Sequence, residues 1–306
     1  MADRDEGEDL TFSQVRHLAA PSRMRLDLVL VKNGVVATRS LAQSLIDEGR
    51  IFVDGLVATK AATLVDPGRK IELRCEERRW ASRGAYKLLR GLDTFGVSPE
   101  KKVCMDVGAS TGGFSDVLLE RGAEKIYAVD VGYGQLAWRL RNDPRVVVME
   151  RTNARHLLPE QFSETMDLIV SDASFISLRL LLPPLENLLS PSGEMVVLVK
   201  PQFEAGRERI GKKGVVRDPR VHEAVLLEFR DFVHTSLRLF LHGVDFSPLR
   251  GPQGNIEFLA HLSFSEPARP PDDADLARVV REGHARTEDS SETQCGRAKG
   301  STTPPG

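Results

Sequence analysis

Four charged side chains stand where solvation alone gives them no reason to be. Lys87 lies in Ser82-Arg83-Gly84-Ala85-Tyr86-Lys87-Leu88. Asp172 follows the apolar run 168–170, Lys200 follows the run 195–199, and Glu257 sits between Ile256 and Phe258. A carboxylate among apolar neighbours requires a partner once buried, and a lysine is its natural counterion. Two amines and two acids suit the removal of a proton from a hydroxyl, a poor acid that needs a base. Burial and a neighbouring cation push a lysine pKa down while carboxylates push it up, so such a group of four sets its own proton affinities. Positioning of the reacting hydroxyl supplies much of the remaining rate. Taken singly, Asp172 and Lys200 also read as solvated strand-end charges, whereas Glu257 between apolar neighbours does not.

A second constellation is Asp106-Val107-Gly108-Ala109-Ser110-Thr111-Gly112-Gly113-Phe114. It follows a strand-like run and opens a helix. Glycines let a backbone approach a ligand and accept positive φ, and a helix start attracts polar or anionic groups. The next strand-like run ends at Asp130, a carboxylate able to accept two ribose hydroxyls. A dinucleotide fingerprint wants glycine at its first, third and sixth positions. Here the third is Ser110, and an acid, Asp106, precedes the loop. S-adenosylmethionine has no pyrophosphate to cradle, and its amino acid head suits an acid such as Asp106. The turn therefore favours the methyl donor over NAD, with a bare strand–helix turn as the structural alternative. Joined to the four charges, it makes methyl transfer to a hydroxyl the expected chemistry.

These residues need a scaffold. Strand-like runs at 103–107, 126–129, 146–149, 168–170 and 195–199 alternate with helical stretches, which predicts a mainly parallel sheet covered by helices. Ligands of such sheets bind beyond the carboxyl ends of the strands, which puts Asp106, Asp130, Asp172 and Lys200 on one rim. Segments 238–247 and 256–263 read as two further strands, an antiparallel pair at one edge. Ahead of this α/β domain, at 85–265, residues 23–74 read as a small α+β unit. Its helix through Leu26, Leu28, Leu30 and Val31 stops at Asn33-Gly34. A second helix is capped by Thr38 or Ser40, and Asp54-Gly55 turns a hairpin. Residues 75–84 read as a linker, 1–22 as a flexible acidic lead, and 266–306, rich in Pro, Asp, Glu, Ser, Thr and Gly, as disordered.

The 306 residues allow two domains. A hydrophobic fraction of 41% with no apolar run of membrane length excludes an integral helical membrane protein. The acidic start is no secretory signal. Three cysteines without metal spacing argue against disulfides and zinc, and for a reducing cytoplasm. The net charge of −2 hides an asymmetry, since residues 21–90 carry fourteen lysines and arginines against eight acids. A basic segment in a neutral chain points to a polyanion.

Residues 24–265 resemble the TlyA family, haemolysin-named ribosomal RNA 2′-O-methyltransferases that join an S-four-type RNA-binding domain to an FtsJ-type Rossmann-like methyltransferase. The resemblance rests on Arg25-Leu26-Asp27, Thr38-Arg39-Ser40, the segment from Ile46 to Gly55, Arg79-Trp80-Ala81-Ser82-Arg83-Gly84, the turn 106–114, Arg151-Thr152-Asn153-Ala154-Arg155, the segment from Ser171 to Ser177, Lys200-Pro201-Gln202-Phe203-Glu204 and Gly254-Asn255-Ile256-Glu257. It implies a Lys-Asp-Lys-Glu tetrad at Lys87, Asp172, Lys200 and Glu257. Lys200 would be the base, oriented by Asp172 and Glu257, with Lys87 placing the ribose. It implies S-adenosylmethionine held by Asp106, Gly108, Ser110, Gly112, Gly113, Phe114, Asp130 and Asp172, with Asn153 by the adenine, and cytidine in ribosomal RNA or ribosomal subunits as target. Arg25, Arg39, Arg50, Lys60 and Arg83 are the expected RNA contacts, chiefly to phosphates. A cytoplasmic monomer without metal is expected. The competing readings are a non-catalytic ribosome-assembly factor and a haemolysin.

Overall fold

The computed structural model describes residues 23–36, 38–47, 50–58, 60–73, 80–211 and 214–292. The expected acidic lead and residues 75–79 of the expected linker lie outside them. The chain divides into two units, residues 1–78 and 79–306.

In the first unit, β1 (Met24–Arg25) leads into α1 (Leu26–Lys32), followed by α2 (Arg39–Asp47), β2 (Ile51–Val53), β3 (Leu56–Val57), β4 (Leu64–Val65) and β5 (Ile71–Leu73). The helices bury Leu26, Val29 and Leu30 from one and Ala42, Leu45 and Ile46 from the other, each an i, i+3, i+4 stripe. Thr38 Oγ1 accepts the Leu41 amide and caps α2. Asp54 and Gly55, at φ 50° and 81°, turn β2 into β3, as the Asp-Gly pair predicts.

The second unit contains α3 (Ala85–Phe95), β6 (Val103–Val107), α4 (Gly113–Glu120), β7 (Lys125–Val129), α5 (Trp138–Arg141), β8 (Val146–Met149), β9 (Met166–Ser171), α6 (Leu178–Glu186), β10 (Leu189–Val199), α7 (Pro201–Glu204), α8 (Pro219–Ser236), β11 (Phe240–Phe246), β12 (Phe258–Ser263) and α9 (Asp273–Glu292). Its seven strands are ordered β11-β12-β10-β9-β6-β7-β8. The five from β10 to β8 are parallel, and β12 runs antiparallel to both neighbours. Both faces are covered, so the strands read as continuous apolar runs. Cys104, Ile126, Ala128, Leu168, Val170, Val196 and Leu198 pack on one side with α3 and α4. Met105, Val107, Tyr127, Val129, Ile169, Met195 and Val197 pack on the other with α6, α8 and α9.

Two expectations are corrected. Residues 266–306 are not disordered throughout, because α9 buries Leu276, Val279 and Val280 in the core. Those three form a helical stripe inside a segment whose average composition is polar. Asp272 starts the helix by accepting the Asp275 amide at 2.9 Å. Residues 80–84 are not a free linker. Trp80 is buried and its indole Nε1 donates to Glu120 Oε2 at 2.9 Å, while the Ala81 amide donates to Asp116. This stretch is anchored on α4 and feeds straight into α3.

Candidate active site

The antiparallel β12 begins where the parallel β10 ends, with Phe258 opposite Val199. Glu257 and Lys200, each one residue outside that register, are therefore brought to the same rim. β9 ends beside them, placing Asp172, and α3 brings Lys87 across. The four side chains converge. Lys87 Nζ lies 2.7 Å from Glu257 Oε2 and 3.2 Å from Asp172 Oδ2. Lys200 Nζ lies 2.7 Å from Asp172 Oδ1, and donates to the Asp172 carbonyl at 3.0 Å and to Ser174 Oγ at 2.8 Å. Glu257 is 1% exposed, Lys200 5% and Lys87 7%.

The two amines are not equivalent. Burial pulls the Lys87 pKa down, but the charges of Asp172 and Glu257, each with its hydrogen bond, together hold it above its ordinary value. Lys87 is thus a fixed cation between two acids. Lys200 faces one carboxylate, a carbonyl and a hydroxyl.

The glycine turn adjoins this group. A Cβ on Gly108 would lie 3.0 Å from the Ala173 backbone, so only glycine allows the turn to approach the Asp172-Ala173 strand end so closely. Gly108 and Gly112 have φ of 84° and 97°, and Ser110 adopts 48°. Asp130, at the end of β7, accepts the Ser110 amide at 2.8 Å and the Gly132 amide at 2.7 Å. Asp106 is fully buried. Its Oδ2 accepts from Ser115 Oγ at 2.7 Å, and among the described residues its Oδ1 has no hydrogen-bond partner. Burial pushes its pKa up to about 7.

Other expected residues take more local positions. Phe114 is buried in the layer beneath α4, so only its backbone can face a ligand. Gly113 makes room for Ser82, whose Oγ would lie 2.2 Å from a Cβ there. Asn153 Oδ1 accepts the Arg155 amide as a loop cap. In the first unit, Arg25 and Arg39 converge on the buried Asp27, at 3.0 and 2.9 Å. Arg50 is half-buried, whereas Lys60 and Arg83 are exposed.

Three further groups escape sequence reasoning. Ser174 holds Lys200. Glu204, just beyond Lys200, accepts from Ser177 Oγ at 2.7 Å and the Leu178 amide at 2.8 Å, tying α7 to the loop after Asp172. Phe175 is 89% exposed at φ 63°. An acid following Lys200 was a visible signal for the second, whereas the strain at Phe175 has no sequence signature.

The FtsJ-like methyltransferase family model matches residues 80–264, and the S4 domain model matches residues 24–71. The chain belongs to the FtsJ-like methyltransferase family. Among its relatives, the 16S/23S rRNA (cytidine-2′-O)-methyltransferase TlyA of Mycobacterium tuberculosis is 47% identical over 243 residues, covering 78% of this chain and 90% of the relative. Hemolysin A of Brachyspira hyodysenteriae is 40% identical over 242 residues, covering 78% and 99%. A solved structure from Streptococcus thermophilus, provisionally titled a hemolysin, superimposes with a TM-score of 0.71 at 40% identity, covering 89% of this chain and all of that one. The methyltransferase match begins at Trp80, where the anchored stretch begins, and stops before α9. Among the described residues no helix is long and apolar enough to cross a membrane.

Proposed function

We propose that this FtsJ-like methyltransferase uses S-adenosylmethionine to methylate a ribose 2′-hydroxyl of ribosomal RNA, with cytidine as the target nucleoside. The observation that carries the reading is the convergence of buried Lys87, Lys200 and Glu257 on the half-buried Asp172 beside the glycine turn. The residues present fit the donor. Asp106 Oδ1 is a buried acceptor without a hydrogen-bond partner among the described residues, and an ammonium such as that of the methionine head is the donor it lacks. Asp130 stands at the strand end where ribose hydroxyls would be held, and Gly108 and Gly112 admit a ligand close to the backbone.

Bound S-adenosylmethionine supplies an electrophilic methyl group. The protein's part is to place the hydroxyl and remove its proton. Lys200 is the base in this reading, since Lys87 stays charged between two acids. Asp172 orients both amines from its two oxygens. Glu257 fixes Lys87, which steers the ribose as a cation. As the oxygen–carbon bond forms and the carbon–sulfur bond to the methyl breaks, the hydroxyl proton would pass to Lys200 Nζ in its neutral form, after that amine has given a proton to solvent, and the sulfur would leave as a thioether. Phe175 offers an aromatic face on which an unstacked base can lie. The S4 match, the basic 21–90 segment and the TlyA relative support ribosomal RNA as the substrate, and with it the cytoplasm as the place of action.

The test is tritium transfer from labelled S-adenosylmethionine to ribosomal RNA from cells lacking the enzyme, with the modified residue mapped. Lys200→Ala should fold, bind donor by calorimetry and lose transfer by roughly 10²–10⁴-fold. Near-normal transfer by that variant would remove Lys200 from the role of base. Wild-type protein that leaves every ribose unmethylated would end the reading.

A further inference from the structure

A cavity of about 290 Å³ opens beside the 251–255 turn that leads to Glu257. Arg217, Arg250, Gly254, Ile256 and His284 line it, together with the buried Val216. Ile256 directly precedes Glu257, and Gly254 of the 251–255 turn lines the cavity. A Cβ on Gly251 would lie 2.6 Å from Glu257 Oε1, so the turn is pressed against the tetrad.

The cavity is a built one. Asn255 is fully buried. Its Oδ1 accepts the Val216 amide at 2.9 Å and its Nδ2 donates to the Gly214 carbonyl at 3.0 Å. That bridge locks the segment bearing Arg217 to the turn bearing Arg250. The third wall is α9, where His284 Nε2 lies 2.8 Å from His222 Nδ1. This wall comes from outside the residues matched by the family model.

The charge around the cavity is unbalanced. Among the described residues, neither Arg217 nor Arg250 forms an ion pair with a carboxylate. The nearby acids are already engaged. Asp218 is held by Arg220 at 3.1 Å, and Glu257 by Lys87. His222, fully buried behind His284, has its pKa pushed down to about 4, first by burial and then by His284, with Arg250 adding to the effect. Two guanidiniums without a counter-charge, facing one pocket, fit an oxyanion, and guanidinium forks match phosphate geometry.

We infer that this pocket is a phosphate subsite, taking a backbone phosphate of the RNA strand next to the nucleotide presented to the tetrad. The inference rests on the proposed RNA reading and deepens it. It gives the strand a second fixed point on the methyltransferase unit itself. It also gives α9 a role, as the wall that closes the pocket.

The test compares Arg217→Ala/Arg250→Ala with wild type, using full-length protein and ribosomal RNA from cells lacking the enzyme. Filter binding across a salt series should show a slope of log K against log salt smaller by about one for each arginine removed. KM for RNA should rise roughly tenfold or more, while kcat and donor affinity stay near wild type. Arg217→Lys/Arg250→Lys should recover most of the salt slope, which a folding defect would not. An unchanged salt slope and RNA affinity in the alanine pair would overturn the subsite, as would a loss that the lysine pair fails to recover. If wild type binds RNA with this salt dependence but methylates none, the catalytic reading fails and the binding arm still decides the subsite.

Discussion

Lys87 and Glu257, 170 residues apart in the chain, meet at 2.7 Å with almost no solvent on either side. The pair joins α3 to the start of β12, and Asp172 links it to Lys200. Removing one member leaves a buried charge alone, which costs about 3–5 kcal/mol. Lys87→Met should therefore lower the melting temperature and abolish transfer together. Lys87→Met/Glu257→Gln should recover stability, because the orphaned charge is gone, and still not transfer. Thermal unfolding with a parallel transfer assay separates the two effects. A double variant as unstable as the single one would show that the pair is not coupled.

Asp106 makes stability and donor binding depend oppositely on pH. Burial raises its folded pKa to about 7, against an ordinary value near 3.9. Between those values the folded chain holds a proton that the unfolded chain does not, so this group's contribution to stability falls as pH rises from about 4 to 7. The loss is complete above 7 and is on the order of 4 kcal/mol. The ionised form is the one that suits an ammonium. Asp106→Asn should be more stable than wild type at pH 8, equal to it near pH 4, and weaker in donor affinity at pH 8. Unfolding curves and calorimetry at both pH values check this. A variant less stable than wild type at pH 8 would contradict it.

The sheet and three of the four converging charges were legible for one reason. A parallel strand buried on both faces is an unbroken apolar run, and a charge at its end interrupts it. Lys200 after Val199 and Asp172 after the β9 run were visible on that ground, and Glu257 because an acid follows Ile256. The same reasoning applied to Leu26-Asp27-Leu28 would have exposed Asp27 as a buried acid and Arg25 and Arg39 as its partners. The α9 helix was hidden because Leu276, Val279 and Val280 are its only three large aliphatic residues, set among many polar and small ones. Composition averaged over 266–306 dilutes a stripe that their spacing alone reveals. The docking of Trp80 depends on Glu120, forty residues on, and no local pattern announces it.

Asp27 holds Arg25 and Arg39 side by side while leaving both guanidiniums partly open to solvent. Its hydrogen bond with Arg25 pulls its pKa far below the usual carboxylate range. Burial opposes that, and Arg39 adds to the lowering. The resulting stability is present above pH 4 and is lost as the solution becomes strongly acidic. Asp27→Asn should cost the first unit about 1–3 kcal/mol at neutral pH, read as faster hydrogen exchange of the α1 amides. RNA affinity should fall as well, because two cations lose their fixed spacing. Unaltered exchange in α1 would show that the clamp contributes nothing to the fold.

The α9 helix offers the last prediction, since it lies beyond the matched methyltransferase residues yet fills the layer shared with α8 and β11. Leu276 is fully buried, and cutting a buried leucine to alanine costs about 2–5 kcal/mol where the site cannot collapse. Leu276→Ala should lower the melting temperature of the second unit and weaken RNA binding at low salt, through loss of the His284 wall. Donor affinity should hold, because the glycine turn packs on the opposite side of the sheet with α3 and α4. Differential scanning calorimetry and donor titration check both halves. Donor affinity that falls in step with stability would mean that the two sides of the sheet are coupled more tightly than their separate packing implies.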